Sequence, residues 1–369
     1  MDDLLIWAVG ISLGGGFVLS AFGTAIVRRI ALRRQYVDHP GGHKSHTKPV
    51  ALGGGISITV ALISPIVLGF IFLRVVCDSG EAPAWIPEAL GVHLPGLLSR
   101  AVPALGIAAG AIVLHILGLI DDARHLGPRV KLIVQFAVAG LLVVGFDVRM
   151  LTMLGFVPSS IVTILWIVLI TNAFNFLDNM DGLSAGVAAI TAAIFALAAI
   201  RVEQIFVPTL AFLVVGVMLG YLWHNFPPAK IFMGDAGSLV IGYFMAVLTV
   251  LTTYWETGDQ QELSPRIMIP LIVLAVPLYD TASVVLIRLR QGISPFRGDQ
   301  RHFSHRLVQR GASPRNAVLT IYLATAATSL GAIMLPKSSW AAASFVILQC
   351  VCVVLMIAIL EQIKPNDTA

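Results

Sequence analysis

Residues 340–361 read WAAASFVILQCVCVVLMIAILE, and stretches of this kind decide the fold. A helix needs about 20 apolar residues to cross roughly 30 Å of hydrocarbon, and this stretch carries one charged residue, at its very end. Similar runs recur along the whole chain, so the sequence predicts about 11 transmembrane helices. The predicted spans are 4–27, 51–76, 101–120, 131–146, 159–177, 183–201, 205–223, 237–254, 267–288, 317–336 and 340–361.

The composition of the 369 residues agrees with a protein embedded in a lipid bilayer. Hydrophobic residues make up 57% of the chain and charged residues 12%, whereas soluble domains carry about 25% charged residues. Half of the usual polar coat is missing, which excludes a soluble globule, a disordered chain and a secreted disulfide scaffold. The three cysteines match no zinc or redox spacing. The sequence therefore predicts an all-α, polytopic integral membrane protein formed by a single transmembrane domain, residues 1–369.

The distribution of positive charge predicts the orientation of the chain. With the N-terminus outside, eighteen of the 24 Lys and Arg residues fall in loops on the inner side and six on the outer side. Lysine and arginine accumulate on the cytoplasmic side of membrane proteins. The N-terminus is therefore predicted outside and the C-terminus in the cytoplasm. The predicted catalytic cytoplasmic loops are about 28–50, 121–131, 172–182, 224–236 and 288–316.

Polar clusters occur where the predicted spans end on this inner side. A charged side chain at mid-bilayer costs about 2.5 to 3.5 kcal/mol on insertion scales, so these groups are expected to line an aqueous cleft. Asp178 and Asp181 would share one face of a helix with Asn175. Asp121 and Asp122 are adjacent, about 100° apart on a helix, so they cannot point the same way. Asp235 lies between Gly234 and the next glycine, directly before an apolar run.

Carboxylates packed together repel one another unless a cation intervenes. Hard oxygen ligands without a Cys/His cage suit Mg²⁺ or Mn²⁺. The last inner loop adds Arg297, Arg301 and Arg306, with His302 and His305 at helical spacing, a combination typical of phosphate binding. Acids for a metal and bases for phosphate indicate a diphosphate substrate.

Several interpretations stay open at this level. Asp121 and Asp122 could simply mark a helix boundary, and Asp280 could either bond a neighbouring helix or line the cleft. A cation-coupled secondary transporter is an alternative function, since intramembrane acids can carry cations. A non-catalytic lipid-binding scaffold is a second one. The acids cluster at span ends on one side and the halves show no repeat, which favours an enzyme.

Five motifs, in this order, carry a resemblance to a known family. They are Lys44-Ser45-His46 with Pro49 and Gly53-Gly54; Asp121-Asp122 with Lys131 and Gln135; Asn175 to Leu183; Phe232 to Ser238; and Arg301-His302 with His305-Arg306-Leu307. Over about residues 28–315 the chain resembles the polyprenyl-phosphate N-acetylhexosamine-1-phosphate transferases, membrane enzymes of glycosyltransferase family 4. It is more similar to the undecaprenyl-phosphate GlcNAc-1-phosphate transferase branch than to the peptidoglycan translocases, since it lacks three consecutive histidines in the last inner loop.

The resemblance implies a Mg-dependent transfer of a sugar-1-phosphate, by default GlcNAc-1-phosphate, from a UDP-N-acetylhexosamine to undecaprenyl phosphate, with release of UMP. It implies a bacterial inner membrane protein whose active site faces the cytoplasm, with the lipid bilayer as a partner, a homodimer as an open alternative to a monomer, and no nucleic acid. The product would begin a cell-envelope polysaccharide such as O-antigen or teichoic acid. One-step transfer and a covalent aspartyl-phosphate route both remain open.

The resemblance also implies roles for residues. Its metal ligand corresponds to Asp235, with Asp121 and Asp122 beside the metal and the lipid phosphate. The remaining implied substrate contacts are Asn175, Asp178 and Asp181 on the nucleoside side, His302, His305 and Arg306 on the phosphate side, and Lys44 and His46 in the first inner loop. Catalytic roles would fall on Asp121, Asp122, Asp178, Asp181 and His302, with Asp121 as the preferred base. The chain departs from the family pattern at His43, Asn179 and Ser304.

Overall fold

The computed structural model describes residues 2–39, 49–76, 94–252, 264–295 and 301–361, and most of them are helical. The helices are α1 Asp2–Arg33, α2 Gly54–Val76, α3 Leu94–Arg124, α4 Pro128–Gly140, α5 Phe156–Leu177, α6 Leu183–Ile200, α7 Phe206–Asn225, α8 Asp235–Thr252, α9 Ile269–Val273, α10 Ala275–Arg290, α11 Phe303–Gln309, α12 Pro314–Ser329 and α13 Trp340–Leu360. A π-helical turn, Leu141–Gly145, extends α4. Short 3₁₀ turns cover Thr152–Leu154, Pro265–Met268 and Leu330–Lys337.

The polytopic all-α prediction is confirmed. Within the described ranges, ten helices are long and apolar enough to cross a membrane. The predicted span 267–288 is instead two helices, Pro265–Val273 and Ala275–Arg290, bent by 61° at Leu274. Pro277 explains the break, because it has no N–H to donate to the carbonyl of Val273 one turn earlier, and its ring clashes with that carbonyl.

The structure also contains a small β-ribbon that the sequence did not predict. Strands β1 Val37–Asp38 and β2 Val50–Ala51 pair antiparallel, and Ala51 forms a parallel bridge with Ile231. The first amides of α2, Gly54 and Gly55, donate to the carbonyls of Phe232 and Met233 at 2.9 and 3.0 Å. The ribbon therefore ties the end of α1 and the start of α2 to the loop that precedes α8.

Helix α8 is the centre of the bundle. Every residue from Ala236 to Thr252 is buried, and the helix packs against α2, α3, α5 and α6. Glycines permit this approach: a Cβ at Gly118 would lie 2.4 Å from Cα of Ala236, and one at Gly55 would lie 2.3 Å from N of Gly237. Small residues let membrane helices approach this closely, and here they place the first turn of α8 between the ends of its neighbours.

The outer helices present apolar side chains outwards. Trp7 on α1, Ile133 on α4 and Phe345 on α13 are among many exposed large apolar residues. In water such a surface would be exceptional, whereas lipid covers it at no cost. The exposed apolar belt and the polar ends of the helices described below agree with a multi-pass membrane protein.

Candidate active site

Asp235, the first residue of α8, lies at the meeting point of three helices. Its Oδ1 accepts a hydrogen bond from Nδ2 of Asn175 at 3.0 Å, and its Oδ2 lies 2.8 Å from Nζ of Lys131. Nδ2 of Asn175 also donates to Oγ of Ser238 at 2.8 Å. The end of α5 and the first turn of α4 thus hold the predicted metal ligand from two sides.

Lys131 joins Asp235 to the first acidic pair. Its Nζ also lies 3.0 Å from Oδ2 of Asp121, while Oδ1 of Asp121 accepts the backbone N–H of Leu126 at 2.6 Å. Pro128 begins α4 and places Lys131 one turn inside it. Lys131 belongs to the second of the five sequence motifs, and its position close after two acids was the available signal for this role. The structure makes it the ion-pair partner of Asp121 and Asp235.

Asp122 points away from its neighbour, as adjacent helix positions require. Its Oδ1 accepts the backbone N–H of Asp235 at 2.8 Å, and its Oδ2 accepts that of Ala236 at 3.2 Å. A Cβ at Gly234, which has a φ of +67°, would lie 2.5 Å from Oδ2 of Asp122. Both oxygens are therefore used at the start of α8, where a carboxylate satisfies free amides and the helix dipole. In the structure Asp122 positions Asp235, and its expected roles as a metal ligand and catalytic group stay predictions.

The capping role of Asp122 predicts a loss of stability on its removal. Asp122→Ala is expected to lower the free energy of unfolding by about 0.5 to 2 kcal/mol, the usual effect of removing a helix N-cap. Asp122→Asn, which keeps one acceptor oxygen, should lose less. Thermal unfolding of the purified protein in detergent measures both, with Asp147→Asn, an exposed carboxylate paired with Arg149, as the control. Equal stability of all three variants and the wild type would refute the cap.

Asp178 and Asp181 follow the end of α5 and do not lie on a helix. The prediction that they share a helical face is wrong, because the chain turns after Leu177 and Gly182 adopts a φ of +73°. Oδ2 of Asp181 accepts the backbone N–H of Ala229 at 2.9 Å, which attaches this turn to the loop after α7. Burial, and then the charges of Asp235, Asp122 and Asp181, raise the pKa of Asp178 well above its ordinary value.

The charge balance of this cluster fits a divalent cation. Five carboxylates lie together here, those of Asp121, Asp122, Asp178, Asp181 and Asp235, and Lys131 supplies a single positive charge. Within the described ranges, no three His, Cys, Asp or Glu side chains form a ready metal cage. A magnesium site commonly uses one or two carboxylates and completes its octahedron with water and substrate phosphates. The donor set therefore suits Mg²⁺ bound together with a phosphate substrate.

The basic segment of the last loop lies against this acidic turn. His302 is the N-cap residue of α11, and its Nδ1 lies 2.9 Å from Oδ2 of Asp280 on α10. Oγ of Ser304 hydrogen-bonds to Oδ1 of Asn179, whose Nδ2 donates to the carbonyl of Phe176 at 2.7 Å. Two departures from the family pattern, Asn179 and Ser304, therefore contact each other. The predicted meeting of the basic loop with the acidic segment is observed.

Arg306 pairs with a glutamate outside the acidic cluster. Its Nη2 lies 3.0 Å from Oε1 of Glu361 and donates to Oγ of Ser283 at 2.9 Å. Tyr279 donates to Oε2 of the same glutamate at 2.8 Å. In the structure Arg306 anchors α11 to α10 and to the end of α13, and its expected phosphate contact stays a prediction. The sequence alone could not predict this ion pair, because Glu361 follows the C-terminal end of the last span, 55 residues after Arg306.

Three predicted substrate contacts remain without a defined role in the structure. Lys44 and His46 lie outside the described residues. His305 is half-buried in the first turn of α11, one position beyond Ser304. Its position on the helix is compatible with the predicted phosphate contact, which stays a prediction.

Comparison with known proteins identifies the family. Residues 104–253, which hold most of the cluster, match the family described as Glycosyl transferase family 4. A probable undecaprenyl-phosphate N-acetylglucosaminyl 1-phosphate transferase of Bacillus subtilis is 34% identical over 327 residues, which cover 86% of this chain and 82% of the relative. This chain belongs to the polyprenyl-phosphate N-acetylhexosamine-1-phosphate transferases.

Other members of the family agree with this placement. A decaprenyl-phosphate N-acetylglucosaminephosphotransferase of Mycolicibacterium smegmatis is 32% identical over 85% of this chain and 79% of its own length. An undecaprenyl-phosphate alpha-N-acetylglucosaminyl 1-phosphate transferase of Escherichia coli is 27% identical over 84% of this chain and 79% of its own length. These relatives are named as transferases of one sugar phosphate, and they give the transporter alternative no support.

Proposed function

We propose that this protein transfers N-acetylglucosamine 1-phosphate from UDP-GlcNAc to undecaprenyl phosphate and releases UMP, as the first membrane step of a cell-envelope polysaccharide. The observation that carries the proposal is the meeting of Asp235, Asp121 and Lys131 with the His302 segment at one end of a membrane bundle. A nucleotide diphosphate needs cations, and a lipid phosphate needs a site at the membrane boundary. The names of the relatives support the sugar and the acceptor.

The site is proposed to face the cytoplasm of a bacterium across its inner membrane. UDP-sugars are cytosolic, and the loops at the site end of the bundle carry the excess of Lys and Arg. Glu361, after α13, also lies at this end, since it contacts Arg306 and Tyr279. The C-terminal end of α13 is then cytoplasmic, and the first residues of α1, at the opposite end from Arg33, are outside.

Asp235 and Asp178 are the proposed holders of the divalent cation. Asp235 projects from the start of α8, and Asp178 lies in a half-buried turn where the charges of Asp235, Asp122 and Asp181 act on it. When bound, Mg²⁺ supplies positive charge that stabilises the pyrophosphate and the leaving UMP. Mn²⁺ has similar ligand preferences.

The protein's own groups account for the remaining steps. Asp121 is the proposed base that takes the residual proton from the lipid phosphate, so that an oxygen of this phosphate can attack the sugar-linked phosphorus. Lys131, held between Asp121 and Asp235, adds a positive charge beside the reacting phosphates. Asn175 orients Asp235 through its amide. His302, whose Nδ1 is bonded to Asp280, offers Nε2 as an acceptor for a hydroxyl group of the UDP-sugar.

The direct test is the release of UMP by the purified protein. With UDP-GlcNAc, undecaprenyl phosphate and Mg²⁺ all present, UMP and a lipid-linked GlcNAc diphosphate are expected in equal amounts. Omission of the lipid phosphate, or chelation of the metal by EDTA, should abolish both products, and restored Mg²⁺ should recover them. Turnover of another UDP-N-acetylhexosamine in preference to UDP-GlcNAc would replace the proposed donor. Absence of UMP with every donor would overturn the proposal.

A further inference from the structure

A buried carboxylate on α10 holds the histidine of the basic segment. Asp280 is 2% exposed and His302 is 5% exposed. Oδ2 of Asp280 lies 2.9 Å from Nδ1 of His302, and Oδ1 accepts the backbone N–H of Phe303 at 2.6 Å. The two contacts join the side chain of one residue and the backbone of the next to a single carboxylate. Asp280 therefore fixes both the ring of His302 and the start of α11.

The contact between Asp280 and His302 determines which nitrogen of the imidazole is left for another partner. An ionised carboxylate only accepts hydrogen bonds, so the proton of the His302–Asp280 contact belongs to Nδ1. Nε2 is then the nitrogen left for another partner, and the identity of the bonded nitrogen sets the tautomer of a neutral imidazole. The edge of the His302 ring also meets Phe176, with ring centroids 6.1 Å apart. Rotation of the ring is thus restricted by both the carboxylate and an aromatic neighbour.

Residues next to His302 in the chain contact the turn that carries Asp178 and Asp181. Ser304, two residues later, hydrogen-bonds to Asn179, which stands between Asp178 and Asp181. Phe176 directly follows Asn175, the residue that orients Asp235. The restrained imidazole is therefore attached to the same turn that carries Asp178 and Asp181.

We propose that Asp280 is a positioning residue for the reaction: it holds His302 with Nδ1–H towards its own carboxylate, so that Nε2 is presented as a hydrogen-bond acceptor to a hydroxyl group of the UDP-sugar. The inference rests on the proposed function, because it assigns His302 a partner in the UDP-sugar substrate. It extends that function, because Asp280 lies inside a span and touches no substrate itself. Its effect on the reaction passes entirely through the orientation and tautomer of His302.

The variant that isolates this role is Asp280→Asn. Asparagine has nearly the same shape and keeps one acceptor oxygen, which can still cap Phe303. The amide nitrogen then faces Nδ1 of His302 and can only donate to it, so the imidazole proton moves to Nε2. Thr281→Val is the matched control, since Thr281 is the neighbouring buried residue, and its hydroxyl has no hydrogen-bond partner among the described residues.

Kinetics provide the first readout. In Asp280→Asn, kcat for UMP release is expected to fall about 10- to 100-fold, the range typical of losing the hydrogen-bond partner that orients a metal-ligating histidine. The KM for UDP-GlcNAc should stay within about twofold. Thr281→Val should keep wild-type kcat. In a His302→Gln background, Asp280→Asn should change kcat by less than about twofold, because its effect depends on the imidazole. A full additional loss in that background, or a wild-type kcat for Asp280→Asn, would overturn the proposal.

A spectroscopic readout does not depend on turnover. Nitrogen-15 NMR of histidine-labelled protein in detergent distinguishes Nδ1–H from Nε2–H, and comparison with His302→Gln assigns the signals of His302. The wild type is expected to show Nδ1–H and Asp280→Asn the other tautomer. An unchanged His302 signal in Asp280→Asn would refute the pairing. If the wild type released no UMP while the tautomer still changed, the proposed function would fail and the pairing would stand.

Discussion

Asp235→Asn is expected to reduce kcat for UMP release by roughly a thousandfold, the effect of losing a principal charge at a phosphoryl-transfer site. Asparagine can still accept the hydrogen bond from Asn175, so the local fold should persist. The variant loses the negative charge that pairs with Lys131 and that would hold the divalent cation. Steady-state assays at saturating UDP-GlcNAc and increasing Mg²⁺ separate the loss of the ion pair with Lys131 from the loss of metal binding. Only weaker metal binding raises the Mg²⁺ concentration needed for the half-maximal rate.

Asp147→Asn serves as the matched control for this prediction. It is the same change at a carboxylate that pairs with Arg149 and is 67% exposed, in a loop separate from the acidic cluster. Its activity should equal that of the wild type. Activity of Asp235→Asn within about tenfold of the wild type, far short of the loss expected for a principal charge, would show that Asp235 does not hold the metal.

Asp121→Asn is expected to reduce turnover more than about a hundredfold, the contribution of a positioned general base. The amide can still accept the N–H of Leu126, which preserves the end of α3, but it cannot take a proton. Binding of undecaprenyl phosphate should be retained, because the proton transfer and not the lipid site is lost. Rate measurements and equilibrium binding of the lipid phosphate in the same detergent separate the two effects.

Two outcomes would change this assignment. Near-normal turnover of Asp121→Asn would remove Asp121 from the chemistry and leave its ion pair with Lys131 as a structural feature. Loss of lipid phosphate binding together with turnover would instead place Asp121 at the acceptor phosphate without a role as base. In either case the contact between Lys131 and Asp235, at 2.8 Å, would remain as the centre of the site.

The sequence predicts the membrane fold well because the spans are decided by local composition. Ten of the predicted spans correspond to helices, including the short run 131–146, which the π-helical turn after Gly140 completes. The bend at Leu274 was not predicted, although Pro277 was a visible signal for it. The β-ribbon was not predicted either, since two-residue strands carry no periodic pattern.

The sequence predicts which segments form the site better than it predicts the directions of their side chains. Acidic and basic segments could be brought together because both lie at the inner ends of spans. The direction of each side chain depends on partners far along the chain, such as Asp122 with the amide of Asp235 or Arg306 with Glu361. The turn after Leu177 was interpreted as helix because the spacing of Asp178 and Asp181 fits one, while Gly182 ends that spacing with a left-handed conformation.

The central claim is that the carboxylates around Asp235 hold a divalent cation together with the substrate diphosphate. Electron paramagnetic resonance of Mn²⁺ measures this directly, since the signal of free Mn²⁺ disappears on binding. The wild-type protein with UDP-GlcNAc is expected to bind one Mn²⁺ that Mg²⁺ displaces, and Asp235→Asn should bind it at least about tenfold more weakly, as removal of a metal-holding group implies. Equal Mn²⁺ binding by the wild type and by Asp235→Asn would contradict the account.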